Sequence, residues 1–346
     1  MTLTTDQFII RKIITETVLT RSFVLEQLSG TPYQPVAGQY LTFVFPKPYG
    51  EERRSYSLSS APVLQEPFTI TVKRVTNGEF SRQLIDHAQV GDVLQASGYH
   101  GFFTLPKQLA PFKQIFFMAA GSGIVPIFSL IKTLRATNPE LRLVLIYSNK
   151  SAADTIFYEE LLTLAENSQG RFIIDFLFSS SNNLLKARIN NTLLSSMYQS
   201  RSHYTFAETL CYICGPFEYM DTVMITLLTE GIPLENIRRE NFAAIKPEIK
   251  EEPEDQEKHK VTLKFPDRTI SMEVQYPVSI LAQAKKENIP LPYSCESGQC
   301  GSCTLRCTQG KVWMSYNEVL THKELDEGLI LTCTGFPIDG DIELTV

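Results

Sequence analysis

Four of the seven cysteines in this 346-residue chain fall into one pattern. Cys295-Glu-Ser-Gly-Gln-Cys300-Gly-Ser-Cys303 is followed, after a gap, by Cys333. The spacing C-x4-C-x2-C…C suits four thiolates around a 2Fe–2S cluster. Structural zinc sites more often use two C-x2-C pairs, and this segment has one. Small residues fill the loop (Ser294, Ser297, Gly298, Gly301, Ser302), as a backbone that must wrap inorganic sulfide closely requires. Such a cluster moves one electron at a time, so a donor must feed it.

Two upstream segments offer phosphate-binding chemistry. Ala120-Gly121-Ser122-Gly123-Ile124-Val125-Pro126 joins an apolar run to a helical one. Its glycines let backbone approach a diphosphate, and the helix N-terminus favours negative charge. Proline stands where G-x-G-x-x-G would place its third glycine. Cys214-Gly215-Pro216 ends another apolar run, at the strand end where open α/β sheets bind ligands; the plainer reading of Cys214 is a small buried hydrophobe. The run Arg142–Tyr147 leads into Ser148-Asn149-Lys150 with no acid for a ribose 2′-hydroxyl. Lysine with hydroxyl and amide donors suits a 2′-phosphate and favours NADPH over NADH, although Asp154 is near and Arg171 and Arg188 are other candidate cations. A solvated loop charge is the plainer reading of Lys150.

Arg54-Ser55-Tyr56-Ser57, with the strands around it and the α/β unit after it, resembles the ferredoxin–NADP reductase superfamily. Val72-Lys73-Arg74 and Asn77-Gly78-Glu79-Phe80-Ser81 resemble its second flavin motif, the glycine turn its nicotinamide motif and Cys214-Gly215-Pro216 its C-G-P. Gly101-Phe102-Phe103-Thr104-Leu105 resembles the segment that closes its barrel, with core packing of the two phenylalanines equally compatible. The resemblance implies that Arg54 pairs with the flavin pyrophosphate, Tyr56 packs on the isoalloxazine and Ser57 lies near N5. It also implies that Cys214 lies beside the nicotinamide. It makes Ser57 and Cys214 the catalytic candidates, and Arg54, Tyr56, Ser57, Lys73, Gly78, Ser81, Gly121, Ser122, Gly123, Ser148, Asn149, Lys150, Gly215, Pro216 and Phe242 the cofactor-binding ones. Arg offers phosphate a bidentate fork and Tyr a flat face. Backbone N–H groups at Gly78 suit a pyrophosphate, hence FAD over FMN; the alternative is an ordinary β-turn capped by Ser81. In relatives the ending Glu240-Asn241-Phe242 brings an aromatic to the nicotinamide face; the alternative for Phe242 is docking of the domain end. With the C-terminal part resembling plant-type ferredoxins, the domain order is that of single-chain oxygenase reductases, and the tail is similar to phenylacetyl-CoA epoxidase reductase subunits.

The surrounding pattern supplies elements to hold these groups. Short strand candidates fill residues 1–107 (Phe8–Thr17, Ser22–Leu28, Gln39–Phe45, Ser55–Ser59, Phe68–Val75, Val93–Ala96), with a helix over Phe80–His87. They predict a closed antiparallel barrel, which the resemblance implies is the FAD-binding domain. Residues 108–245 alternate apolar strands with helices, the pattern of a parallel-sheet α/β domain, which the resemblance implies binds NAD(P)H. Residues 246–260 are nearly all charged or proline and read as a flexible linker. Residues 261–346 begin with a hairpin and the helix Ser279–Glu287 and read as an α+β, β-grasp ferredoxin-like domain.

The net charge of −6 shows no basic excess for nucleic acid. The N-terminal segment lacks a signal-peptide pattern, and the longest apolar stretch, Ile115–Ile131, is broken by glycines and proline. An odd cysteine remainder (Cys211, Cys214, Cys307) points to a reducing cytoplasm. The expected activity is NAD(P)H-dependent electron transfer through FAD and 2Fe–2S to an acceptor protein such as an oxygenase or desaturase component. A stand-alone reductase of small molecules is the alternative. A cluster-based redox sensor would need a signalling module that the sequence does not display.

Overall fold

The computed structural model describes residues 6–28, 33–48, 50–183, 187–242 and 251–346. They form three sheets, each within one stretch of sequence. The first has the order β4-β3-β6-β1-β2-β5: β1 Asp6–Thr17, β2 Thr20–Gln27, β3 Tyr40–Lys47, β4 Gly50–Ser57, β5 Phe68–Lys73 and β6 Val93–His100. Alternation drives it, with Phe8, Ile10, Phe23, Leu41, Phe43 and Ile70 facing one core. The sheet curls until Leu58, just past β4, bridges Ile70 in β5, which closes the expected barrel. The expected helix begins as α1 (Glu79–Arg82) and continues as a π-helical turn over Gln83–His87.

The second sheet is parallel, order β11-β10-β7-β8-β9: β7 Gln114–Ala120, β8 Arg142–Asn149, β9 Phe172–Phe178, β10 Thr209–Cys214 and β11 Ile237–Glu240. β7, β8 and β10 are almost wholly apolar because helices cover both faces. α2 (Ile124–Thr137) and α3 (Tyr158–Glu166) pack on one side, α4 (Asn191–Arg201) and α5 (Phe217–Glu230) on the other. The third sheet, order β13-β12-β16-β14-β15, comprises β12 His259–Lys264, β13 Thr269–Val274, β14 Thr304–Met314, β15 Leu329–Leu331 and β16 Gly335–Thr345. α6 (Ile280–Lys286) lies on it and α7 (His322–Asp326) precedes β15. Among the described residues no helix is long and apolar enough to cross a membrane.

The third unit is seated on the first. Arg53 is buried between them: Nε and Nη2 donate to Glu51 Oε1 (2.8 and 2.6 Å) and Nη1 to the Tyr293 carbonyl (3.2 Å). Its guanidinium also stacks 3.8 Å from the Tyr293 ring centroid, and the Tyr293 hydroxyl donates to the same Glu51 oxygen (3.0 Å). Ser55 and Ser294 hydroxyls meet at 2.8 Å. Arg239 of β11 pairs with Glu318 of the third unit at 2.9 Å. Phe102 and Phe103, expected to close the barrel, diverge instead. Phe103 enters the core of the parallel sheet, edge-on to Tyr212, while Phe102 packs against the third unit.

The linker expectation needs correction. Of residues 246–260, 246–250 lie outside the described residues, and the remainder belongs to the third unit. Pro253 is buried, Asp255 accepts from the Asp339 N–H (2.7 Å) and bonds His259 (2.7 Å), and β12 already begins at His259. Charged composition concealed this because the anchors are single residues within a solvated run. Replacing Arg53 by Ala should weaken domain seating by ~2 kcal/mol, since it removes a buried charge-assisted contact and the ring stacking. Small-angle scattering should then show a larger radius of gyration; an unchanged profile would rule out Arg53 as a clamp.

Candidate functional site

β7 ends in a glycine turn because two other backbones need its space. A Cβ on Gly123 would lie 2.0 Å from the Cys214 carbonyl oxygen, and one on Gly215 would lie 2.9 Å from Ala120 Cβ. These glycines therefore let β7 and β10 meet, a packing role that the motif alone does not display. Gly121 has φ +54° and its carbonyl accepts from the buried Tyr147 hydroxyl (2.9 Å), which pins the turn. A Cβ on Gly121 would stand 3.4 Å from Lys73 Nζ, so the end of β5 holds an ammonium over the turn.

This turn floors a cavity of about 860 Å³ between the barrel and the parallel sheet. Gly121, Ser122, Gly123, Gly215, Pro216 and Lys73 line one part of it. Ser148, Asn149, Lys150, Arg188 and Phe242 line the rest, and Phe242 is 48% exposed. Ser148 Oγ and Asn149 Nδ2 are buried without a hydrogen-bond partner of good geometry. Such unmet donors, beside two cations and a glycine turn, fit a nucleotide with phosphates. Asp154 also lines the cavity, but its carboxylate accepts from the Ser151 hydroxyl (2.6 Å). Arg171 is not a site residue: it pairs with Glu140 at the opposite end of the sheet.

The flavin candidates lie on β4, where alternation divides them. Arg54 and Tyr56 face away from the seated third unit: the Arg54 guanidinium lies 5.6 Å from the Phe80 ring, and Tyr56 packs on Phe43. The R-x-Y-S strand and the α1 turn thus share one edge, whose cation and aromatic faces fit a flavin nucleotide. Arg54 is half-exposed and paired with Glu52. Burial pushes the Tyr56 phenol up. One expectation fails here. The Gly78 N–H donates to the Val75 carbonyl (3.0 Å) and is unavailable to a phosphate. Ser81 accepts from the Val75 N–H (3.1 Å) and donates to the Gly78 carbonyl (3.0 Å). A Cβ on Gly78 would lie 2.5 Å from Ser81 Oγ, so both residues build the turn rather than line a binding surface.

Ser57 turns to the other face, and its Oγ donates to Glu240 Oε2 (3.2 Å). Glu240 closes β11 directly opposite Cys214 in the ladder. Burial raises its carboxyl to about 8, the Ser57 bond opposing the shift. Burial also raises the Cys214 thiol well above its usual value, with the nearby Glu240 charge adding to it. At neutral pH the trio is a neutral hydroxyl, carboxylic acid and thiol. Sequence reading used Glu240 only to mark a domain end; it closes the charged tetrapeptide Ile237-Arg238-Arg239-Glu240, which cannot be told from a solvated terminus without β10 beside it.

The four cluster cysteines converge as two pairs. The Cys295 and Cys300 thiols are close neighbours, as are those of Cys303 and Cys333, and all four are free. Hydrogen bonding from Cys300, Ser297 and the Gln299 backbone lowers the Cys295 thiol from its usual value, against its burial. The partner thiol and burial push Cys300 and Cys303 up. Among the described residues no three such ligands close on a single metal position. Two adjoining thiol pairs fit two irons better than one tetrahedral ion. Cys307 lies outside this group, its thiol turned to the Gln309 carbonyl (3.3 Å). Cys211 is buried core, and Trp313 packs on Phe336.

Comparison with known proteins agrees with this division. A 2Fe-2S iron-sulfur cluster binding domain model matches residues 264–337, an oxidoreductase NAD-binding domain model 117–224 and an oxidoreductase FAD-binding domain model 10–105. One subunit of the 1,2-phenylacetyl-CoA epoxidase from Escherichia coli is 30% identical over 334 residues, covering 95% of this chain and 93% of its own. The chain belongs to the oxygenase reductases of the ferredoxin–NADP reductase superfamily. The ferredoxin reductase component of 3-ketosteroid-9-alpha-monooxygenase from Rhodococcus rhodochrous, a fellow oxygenase reductase, is 30% identical over 96% of this chain and 94% of its own. The solved phthalate dioxygenase reductase, described as modular for electron transfer from pyridine nucleotides to [2Fe-2S], superposes with a TM-score of 0.61. It is 27% identical, over 99% of this chain and 98% of that one. As an oxygenase reductase, this chain is an oxidoreductase with FAD-binding, NAD-binding and 2Fe–2S domains.

The raised Glu240 carboxyl makes stability depend on pH. Unfolding returns it to about 4.5, so the folded state holds the extra proton between about 4.5 and 8. Its contribution is complete below 4.5 and is lost as pH rises through 8, with a slope of up to ~1.4 kcal/mol per pH unit. Chemical denaturation of Glu240→Gln from pH 5 to 8 should show a flatter profile than the parent chain; identical slopes would mean that Glu240 titrates normally.

Proposed function

We propose that this reductase takes a hydride from NADPH in the glycine-turn cavity, holds FAD along the Arg54–Tyr56–Phe80 edge, and passes single electrons through a 2Fe–2S cluster to a separate oxygenase or desaturase component. When bound, FAD converts a two-electron hydride into single electrons, and the cluster carries them one at a time. The observation that carries the reading is the seating of the cluster loop on the flavin strands: the Tyr40 hydroxyl on β3 donates to the Cys300 carbonyl at 2.5 Å. Tyr40 is also the cross-strand partner of Ser57. Flavin residues and a cluster ligand thus meet across one strand pair.

The chain's own groups have assigned roles. Lys73 over the Gly121 turn and the N-terminus of α2 attract the nucleotide phosphates. Lys150 and Arg188 bind the 2′-phosphate, while Ser148 and Asn149 supply buried donors. Arg54 leaves Glu52 for the flavin pyrophosphate, and Tyr56 gives the ring a flat face. Ser57 and Cys214, both uncharged, border the hydride path, and Glu240 orients the Ser57 hydroxyl. Phe242, at the cavity mouth, shields the nicotinamide from water. Cys295, Cys300, Cys303 and Cys333 would hold the two irons of the cluster.

The naming of one relative as an epoxidase subunit and of another as the ferredoxin reductase component of a monooxygenase supports the choice of acceptor. Seven cysteines without a disulfide support a reducing, cytoplasmic location.

Three experiments test the reading. Cys300→Ser should lose iron while keeping FAD and NADPH-driven bleaching of the flavin; loss of flavin bleaching in a folded variant would refute separate sites. The parent chain should also drive turnover of an added oxygenase component. Lys150→Asp should lower the NADPH-over-NADH ratio of kcat/KM about tenfold or more, since a repelled phosphate costs at least ~1.4 kcal/mol. An unchanged ratio would remove Lys150 from cofactor selection.

A further inference from the structure

The Tyr40 ring lies 4% exposed on β3, pointing from the flavin strands into the third unit. Its oxygen touches the cluster loop at the Cys300 carbonyl (2.5 Å) and at Ser302 Oγ (2.8 Å), with the Cys300 thiol also beside it. A phenol has one proton, and a carbonyl can only accept. The Tyr40 proton is therefore committed to Cys300. The second contact needs a donor, and the Ser302 hydroxyl is the one that remains. Ser302 Oγ also lies 3.5 Å from Cys300 Sγ, where it accepts from the thiol, and the Ser302 N–H reaches the same sulfur at 3.5 Å.

When Cys300 ligates iron it has no proton to give. The Ser302 hydroxyl then has two possible acceptors, the Tyr40 oxygen and the thiolate. Hydrogen bonds to ligand sulfurs favour the more negative, reduced cluster and raise its potential. A hydroxyl held by Tyr40 does not make that bond.

We propose that Tyr40 is a positioning residue that registers the cluster loop on the flavin strands and holds the Ser302 hydroxyl away from the Cys300 sulfur. One phenol thereby sets both the placement of the cluster loop and the hydrogen bonding of one ligand. The inference rests on the 2Fe–2S reading, and it extends that reading to a residue outside the ligand motif.

The test uses the purified holoprotein and Tyr40→Phe, which keeps the ring and removes only the oxygen. Redox titration followed by electron paramagnetic resonance should show a raised midpoint potential, because the freed Ser302 hydroxyl turns to the sulfur. Adding Ser302→Ala to that variant should cancel the rise. Amide exchange over residues 295–303 should speed up roughly tenfold, the scale of losing buried hydrogen bonds. In stopped flow, cluster bleaching should slow relative to flavin bleaching. An unmoved or lowered potential in Tyr40→Phe, or unchanged exchange, overturns the inference. Ser302→Ala alone carries the test if Tyr40→Phe fails to fold or loses iron. Its potential should stay at the parent value, and a fall would show that the hydroxyl was already bonding the sulfur. A parent chain without iron or a cluster signal overturns the 2Fe–2S reading itself, whereas a normal cluster insensitive to Tyr40 overturns this inference alone.

Discussion

Successive side chains of a β-strand point to opposite faces, and much of this molecule depends on that alternation in β4. Arg54 and Tyr56 project to the edge shared with Phe80, while Arg53 and Ser55 project into the seam with the cluster-bearing unit. No lengthy arrangement of loops is needed to bring two redox sites together, because one short strand serves both. A one-residue slip of β4 against β3 would exchange the faces, removing the flavin edge and the domain clamp together. The register Tyr40↔Ser57 is therefore a functional quantity as well as a structural one.

The chemistry of the molecule is concentrated at its seams. Each sheet has its own apolar core, and among the described residues those cores carry Cys214 and the cluster thiols Cys303 and Cys333 as their only candidate catalytic or metal-ligating groups. Ser57 comes from the barrel and Glu240 from the edge of the parallel sheet, and the seam between them is dry enough to keep a carboxyl protonated near neutrality. Lys73 and the Gly121 turn likewise belong to different units. Proper assembly of the domains is thus a condition for the sites to exist.

Much of this was legible in the sequence, for reasons that particular residues make plain. The cysteine spacing, the apolar runs of β7, β8 and β10, and the glycine turn all announce local chemistry, and local chemistry survives in a linear string. α4, with its weak periodicity, and the short β11 were not legible, since tertiary neighbours define both. Gly78 was misread because its N–H already has a partner, the Val75 carbonyl three residues back, and residue type alone does not reveal which way a turn closes. Arg53, Tyr40 and Glu240 were invisible as functional groups because their partners, Tyr293, Cys300 and Ser57, lie 183 to 260 positions distant. Single-chain spacing carries no information on such pairs.

The anchoring of Pro253 and Asp255 changes where the cluster-bearing module starts. Asp255 ties His259 to the left-handed kink at Asp339 within β16, so the acidic stretch before β12 acts as a strap across the module's own sheet. A transplant of this module onto another reductase that began at β12 would leave behind the strap and expose the backbone N–H of Asp339. The transferable unit begins at Pro253, and a chimera cut there would carry its own fastening with it.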